Sequence, residues 1–380
     1  MFIKPGTWQV SWVDVPNSIS DDQPHVSVRE RLSCESMTGG DTLPEARPVS
    51  EVPTALLRTR LDRDPSCPRA QRGAPRGHDT GRTAPVHRAA LTLRVTFCGV
   101  RGSTPAPGAD FVRYGGNTSC VALSRDGAVP QLLLDAGTGI TAVTPLLGGA
   151  PFMGSILLGH LHWDHTHGLP FFAGGRDATR IKLFLPEQGD SAEAVLERCF
   201  SPPHFPIVPS QLGPGWSFNC LAEGEHQIEG FQVLAREIPH KGGRTFGYRI
   251  THGESSVAYL SDHSPTSLGA GPDGLGERHD AVVALASGVD ILITDAQHLA
   301  AQFPDVGFLG HASVEYDVEV AREIGVRTLV LFHHDPSRTD DEIDRILDHA
   351  RDLAGDDLEV VAAYEGLVLE LGTPDNKRKA

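Results

Sequence analysis

The stretch Leu158-Gly159-His160-Leu161-His162-Trp163-Asp164-His165-Thr166-His167-Gly168 decides how this chain is read. Of the 18 histidines in the protein, four fall within residues 160–167. Three of them, with Asp164, stand at the spacing H-x-H-x-D-H. They follow the short apolar run Gly154-Ser155-Ile156-Leu157-Leu158, which reads as a β-strand, and they precede a glycine. Imidazole and carboxylate are ligands for Zn, Mn or Fe in the +2 state. Alternation in an extended backbone sends His160 and His162 to the same side. Where the chain then turns, Asp164 and His165 can face a second ion. The bland alternative is a polar loop that happens to be rich in histidine. Gathering four imidazoles and a carboxylate without a cation costs desolvation energy that nothing offsets, so the stretch reads as a metal site.

Outward from this stretch, strands alternate with turns and helices from Leu91 onward. LTLRVTFCG (91–99), SCVAL (119–123), PQLLLDAG (130–137), IKLFLP (181–186), FQVLAREIPH (231–240), FGYRIT (246–251), SVAYLSD (256–262), DILITDA (290–296) and VRTLVLFHHD (326–335) are β-rich. DSAEAVLERCF (190–200), SVEYDVEVAREIG (313–325) and TDDEIDRILDHARDLAG (339–355) have helical period. The last of these starts at a threonine cap with acids in its first turn and ends at Gly355. The expectation is one α/β domain over residues 91–373 with no internal repeat, followed by a polar tail at 374–380.

Residues 1–90 are a different kind of chain. They hold 12 Lys+Arg, 11 Asp+Glu and ten prolines with no periodic pattern, whereas the remaining 290 residues carry a net charge of -17. Such a segment cannot bury enough apolar surface to offset the entropy of ordering and reads as a disordered N-terminal extension. It would be a regulatory or nucleic-acid-touching tail, a dispensable linker, or the product of a start placed too far upstream. The whole protein, 380 residues with a net charge of -16, is 39% hydrophobic. That composition suits a soluble protein with a real core and argues against a broad basic face for nucleic acid. No run approaches the roughly 18 apolar residues of a membrane helix, and the N-terminus has no apolar segment of a secretory signal. Six cysteines without a CxxC pair read as reduced thiols, so the expected location is cytoplasmic, with no membrane partner.

With what surrounds it, the histidine motif resembles the metallo-β-lactamase superfamily, and within it the branch holding ribonuclease Z and the cyclic phosphodiesterases. The resemblance covers about residues 93–371 and implies an αββα sandwich. Asp135, closing QLLLDAG, matches the family aspartate that lies behind the metal ligands and orients their imidazoles. His240 in IPHKGGRTFGYRI matches the third-motif histidine, and the run F-G-Y-R-I after it resembles the phosphodiesterases. Asp262, ending SVAYLSD, matches the aspartate that bridges two metals, and His333, ending TLVLFH, matches the last ligand. The implied ligands are His160, His162, His240 and Asp262 for one divalent ion, and Asp164, His165, Asp262 and His333 for the other. Zinc is the first expectation; manganese or iron suits the same donors. His334 is the alternative to His333, but it would point to the other face of its strand. His167, His263 and His298 have no ligand role in the pattern.

Two such ions clamp a phosphodiester, make hydroxide available at neutral pH and stabilise charge on the phosphoryl oxygens. The resemblance also implies an acid–histidine dyad, Asp295 and His311, which assists phosphate binding and protonates the leaving group. Aspartate stands here where ribonuclease Z commonly has glutamate. The alternative for His311 is a helix cap, although the natural cap of 313–325 is Ser313. The loops Gly99–Thr104 and Gly115–Ser119 offer Arg101 and Asn117 as substrate contacts, or are plain turns. The insertion from Ser201 to Trp216 is a lid or a packing loop. The reading is a dinuclear, metal-dependent hydrolase, a phosphodiesterase for small cyclic or compact phosphodiesters. The runner-up is a ribonuclease Z-like endoribonuclease, which the net charge disfavours. Lactone or thioester hydrolysis and a non-catalytic, metal-bound binding domain are the remaining alternatives, and homodimerisation stays open.

Overall fold

A computed structural model describes residues 91–176 and 180–372. The expectations for residues 1–90 and for the tail after 373 lie outside the described residues. Six strands follow in the first sheet: β1 (Leu93–Gly99), β2 (Cys120–Arg125), β3 (Leu132–Leu134), β4 (Met153–Leu157), β5 (Arg180–Pro186) and β6 (Trp216–Leu221). Seven form the second: β7 (Gly224–Ile228), β8 (Phe231–Ile238), β9 (Thr245–His252), β10 (Ser255–Leu260), β11 (Ile291–Asp295), β12 (Thr328–Phe332) and β13 (Glu359–Ala362). The last strand, β14 (Val368–Leu371), returns to the first sheet beside β1. The two orders are β14-β1-β2-β3-β4-β5-β6 and β13-β12-β11-β10-β9-β8-β7.

Alternation within the strands explains the layering. Leu93, Val95 and Phe97 of β1, with Val121 and Leu123 of β2, face Phe231, Tyr248, Tyr259, Ile293 and Phe332 of the other sheet. Their neighbours Cys98 and Ala122 face the opposite way, toward Ile140, Leu169 and Leu196. In β12, Val330 and Phe332 point between the sheets while Leu329 and Leu331 meet the helices. Strands covered on both faces read as continuous apolar runs. Helices Asp280–Ala286, Val314–Glu323 and Asp340–Ala354 cover the second sheet through Leu285, Val318, Ile343 and Ile346. Helix Ala192–Cys199 covers the first through Leu196. The result is the αββα sandwich expected from the sequence.

The caps agree with the reading. The Ser313 side chain accepts the Tyr316 N–H, and Thr339 and Glu342 form a reciprocal capping box. Gly355, at φ 63°, ends the final helix in a conformation that glycine tolerates best. Strands β6 and β7 escape sequence reading. Both are largely solvent-facing, so they lack an apolar alternation; β6 pairs in parallel with β5 from Ile181↔Trp216. Trp216 therefore begins a strand and does not close an insertion. In the preceding segment Phe205 packs edge-on against Phe171 at 5.8 Å and Phe200 at 6.1 Å. Among the described residues, no helix is long and apolar enough to cross a membrane.

Strands β3 and β4 of one sheet, and β10, β11 and β12 of the other, run in parallel within their sheets. Asp135, His160, Asp262, Asp295 and His333 sit at or just beyond their C-terminal ends. His240 follows the end of β8 in the same way. Loops at the carboxyl ends of parallel strands are where open α/β sheets gather their functional side chains.

Candidate metal centre

Asp262 stands in the middle of the cluster. Its Oδ2 lies 3.6 Å from His160 Nε2 and 3.4 Å from His240 Nε2; its Oδ1 lies 3.2 Å from His165 Nε2 and 3.3 Å from His333 Nε2. On the His240 side, His162 Nδ1 is 3.4 Å from His240 Nε2. On the other side, Asp164 Oδ2 is 3.2 Å from His165 Nε2 and 3.1 Å from His333 Nε2. Two donor sets, His160/His162/His240/Asp262 and Asp164/His165/His333, each have their ligand atoms within 4.8 Å of one another, and a third group, Asp262/His311/His333, overlaps both. The carboxylate of Asp262 touches both. The structure thus brings together all seven side chains named from the sequence as ligands.

The donor set fits divalent cations. His160 Nε2, His165 Nε2 and Asp262 Oδ1 are buried and have no hydrogen-bond partner, which is costly unless an ion takes them. Burial holds the imidazoles of His160, His162 and His240 below the usual histidine range, which leaves neutral rings with a lone pair to give. Burial alone would also lower His165 and His333, but Asp164 and Asp262 outweigh it and raise both. Burial pushes the Asp164 carboxyl up, yet His165 and His333 hold it far below the carboxylate range. Two ionised acids therefore share a buried space that demands positive charge.

Asp135 holds this arrangement from behind. Fully buried at φ 60°, it accepts the Gly159 N–H at 2.7 Å, the Tyr259 hydroxyl at 2.6 Å and His165 Nδ1–H at 2.6 Å. Binding Nδ1 aims Nε2 of His165 at Asp262. His240 is fixed likewise, its Nδ1 donating to the Gly310 carbonyl at 2.7 Å. Tyr259, Gly310 and Ser103 are positioning groups that sequence reading did not single out. For Tyr259 the signal was a buried tyrosine whose hydroxyl must find a partner within an apolar strand.

The loop after β1 turns out to be structural. The Ser103 N–H donates to Asp164 Oδ2 at 2.6 Å, and Gly102 packs against the His333 ring. Arg101, offered as a substrate contact, is fully buried. Its Nε donates to the Gly115 carbonyl, its Nη1 donates to the carbonyls of Asp335 and Arg338, and Asp340 lies 3.7 Å from Nη2. A guanidinium so placed cannot meet substrate, and it clamps the loop after His333 instead. Asn117 is committed too, its backbone N–H and its side-chain amide both donating to Glu365. A Cβ on Gly102 would stand 2.4 Å from His333 Cε1. Gly102→Ala is therefore expected to displace His333 and to weaken metal retention and turnover at least ~10-fold. Metal-to-protein ratio after dialysis against a graded chelator checks this.

Asp295 and His311 also meet. His311 Nδ1 is 2.5 Å from Asp295 Oδ2, and Asp295 Oδ1 accepts the Gln297 N–H at 3.0 Å. Burial raises the Asp295 carboxyl well above its usual range and lowers the His311 imidazole. The contact occupies Nδ1 and leaves Nε2 as the His311 nitrogen not engaged by Asp295. Ser313 caps the next helix, so His311 is free of that task. His333 rather than His334 faces the cluster; His334 donates to the Ala363 carbonyl at 2.9 Å and packs edge-on against Tyr114. His263 is buried against Tyr316 with its pKa pushed down to about 3. His298 packs against His311, and burial lowers it to about 4. His167 stacks on Trp163 at 5.3 Å.

Comparison with known proteins agrees with this geometry. The family description "Beta-lactamase superfamily domain" matches residues 131–334, which span the motif from Asp135 to His333. A curated relative, the ribonuclease Z of Haloarcula marismortui, is 24% identical over 321 residues, covering 75% of this chain and 99% of that protein. Among solved structures, the metallo-beta-lactamase fold protein YhfI of Bacillus subtilis aligns with TM-score 0.54 at 20% identity, over 73% of this chain and 99% of that one. A diphosphatase of the PhnP family aligns with TM-score 0.52 at 20% identity, over 74% and 98%. A match across more than half of the chain, on the segment that carries six of the seven ligand-set side chains before His333 and His333 itself, establishes that this protein belongs to the beta-lactamase superfamily, as a metal-dependent hydrolase.

Proposed function

We propose that the protein is a phosphodiesterase that uses two divalent ions, zinc first, to hydrolyse small cyclic or otherwise compact phosphodiesters. The observation that carries this reading is the pair of adjoining donor sets joined by the Asp262 carboxylate. His160, His162, His240 and Asp262 would hold one ion; Asp164, His165, His333 and Asp262 would hold the other. Ions bound there supply hydroxide at neutral pH and neutralise charge that develops on the phosphoryl oxygens.

The chain's own residues do the rest. Asp135 and the Gly310 carbonyl keep His165 and His240 aimed inward. The Ser103 N–H holds the Asp164 carboxylate against rotation. His311, engaged through Nδ1 by Asp295, presents Nε2–H to the departing alkoxide and donates its proton as the P–O bond breaks. Burial of this dyad keeps bulk water from competing for that proton.

A second reading, a ribonuclease Z-like endoribonuclease, is favoured by the curated relatives named ribonuclease Z, one of them aligned over three-quarters of this chain. The net charge of -17 over residues 91–380 weighs against an RNA grip built on phosphate neutralisation. One preparation decides. Chelated protein is restored with Zn or Mn and assayed on bis(p-nitrophenyl) phosphate, on 2′,3′- and 3′,5′-cyclic nucleotides, and on a 3′-extended tRNA. Metal-dependent turnover of the small diesters is expected. Turnover of the tRNA alone selects the second reading, and no turnover with metal bound removes both.

A further inference from the structure

Lys241 follows His240 in the chain, and its side chain lies over Gly310. Gly310 gives its carbonyl to His240 Nδ1 and directly precedes His311. It sits at φ 99°, and a Cβ there would stand 3.2 Å from Lys241 Cγ and 3.5 Å from His240 Nδ1. The Lys241 stem therefore runs past the segment that joins two histidines of the centre. Its ammonium ends 5.5 Å from the centre of the Phe308 ring, and Phe308 is 67% exposed.

The surroundings of this cation are unusual for so acidic a chain. Among the described residues Lys241 makes no ion pair, whereas the other cations of its motif are committed. Arg244 pairs with Glu237 at 2.8 Å and Glu223 at 3.6 Å. Arg249 donates to the carbonyls of Leu285 and Ser287. Lys241 is itself exposed, and an ammonium on an aromatic face keeps its N–H donors available. Among the described residues no carboxylate pairs with the ammonium, so an incoming anion would be its first ionic partner there.

We propose that Lys241, seated on Phe308 beside His240 and Gly310, is the receptor for an anionic phosphoryl oxygen of the substrate. The proposal rests on the phosphate-ester reading above and adds the residue that recognises the anion at the rim. The ligand class is a phosphate ester, free or within an RNA backbone. Lysine acts here as a point charge, so the charge and not a bidentate geometry is what matters.

The test is calorimetric titration of the metal-loaded protein with methyl phosphate, alongside KM and kcat on bis(p-nitrophenyl) phosphate. Lys241→Ala is expected to weaken methyl phosphate binding about 10-fold and to raise KM similarly, with metal content unchanged and kcat changed far less. Lys241→Arg is expected to restore most of the affinity, and Phe308→Leu to fall between the two. A short single-stranded RNA in the same titration separates the sources: tighter binding than methyl phosphate, lost in Lys241→Ala, places the receptor on a polymer backbone, and binding no tighter places it on a free ester. Equal binding by wild type and Lys241→Ala, or no binding of methyl phosphate by the loaded wild type, overturns the proposal. Wild-type turnover is read separately. Bound methyl phosphate without turnover removes the diesterase reading and leaves the receptor standing; turnover with Lys241-independent binding does the reverse.

Discussion

Asp262→Ala is expected to strip bound metal from the protein and to bring turnover down by on the order of 10³-fold or more. The magnitude follows from the several kcal/mol of transition-state stabilisation that metal ions supply, at a tenfold rate change per ~1.4 kcal/mol. The variant removes both carboxylate oxygens that touch the two donor sets, and four imidazole nitrogens within 3.6 Å lose their shared acid. The His160/His162/His240 set then has no carboxylate, and the other keeps only Asp164 to offset a divalent ion in a buried space. Asp262→Asn keeps the volume and one oxygen, and is expected to retain more metal than alanine and less than wild type. Elemental analysis after gel filtration gives the stoichiometry, and a thermal melt in chelator separates metal loss from misfolding. Full metal occupancy and wild-type turnover in Asp262→Ala would remove the central claim about this site.

His311→Ala is expected to produce the second large effect, and its size should depend on the leaving group. A positioned general acid contributes about 10²–10⁴-fold where the departing oxygen needs a proton. A cyclic nucleotide releases a basic alkoxide, so the full loss is expected there. Nitrophenolate leaves without a proton, so bis(p-nitrophenyl) phosphate should lose little by comparison. Asp295→Asn keeps an acceptor oxygen beside Nδ1 but gives up the charge and the proton of the 2.5 Å contact, and an intermediate loss is expected. The ratio of the two rates across wild type and both variants is the measurement. An equal fall on both substrates would assign the dyad to binding or structure and not to proton transfer.

Much of the site was legible because its ligands fall at sequence landmarks. His160, His162, Asp164 and His165 lie in one short motif, and Asp135, Asp262 and His333 each end an apolar strand. A strand's end is visible in sequence, and so is a polar residue placed there. Ser313 and Thr339 were legible for a similar reason, since a cap is a local device whose partner lies three residues away. Edge strands β6 and β7 were not, because they bury too little to impose a pattern.

By itself the sequence determined most of the strands and helices, through local periodicity, and the compact His160–His165 motif; the αββα class and the ligands His240, Asp262 and His333 came from the resemblance of the surrounding motifs to a known superfamily. Only the tertiary structure decided what Arg101 and Asn117 do. An arginine in a glycine-rich loop reads as a phosphate contact until the fold shows its guanidinium enclosed by the carbonyls of Gly115, Asp335 and Arg338, residues up to 237 positions away. The same holds for the Ser103 N–H on Asp164, the Tyr259 hydroxyl on Asp135, and Lys241 lying over Gly310. These contacts join residues that are far apart in the chain, and a pairing across that separation leaves no local pattern. Hydrogen bonding and burial decide it, and both exist only once the two sheets have closed on their common core.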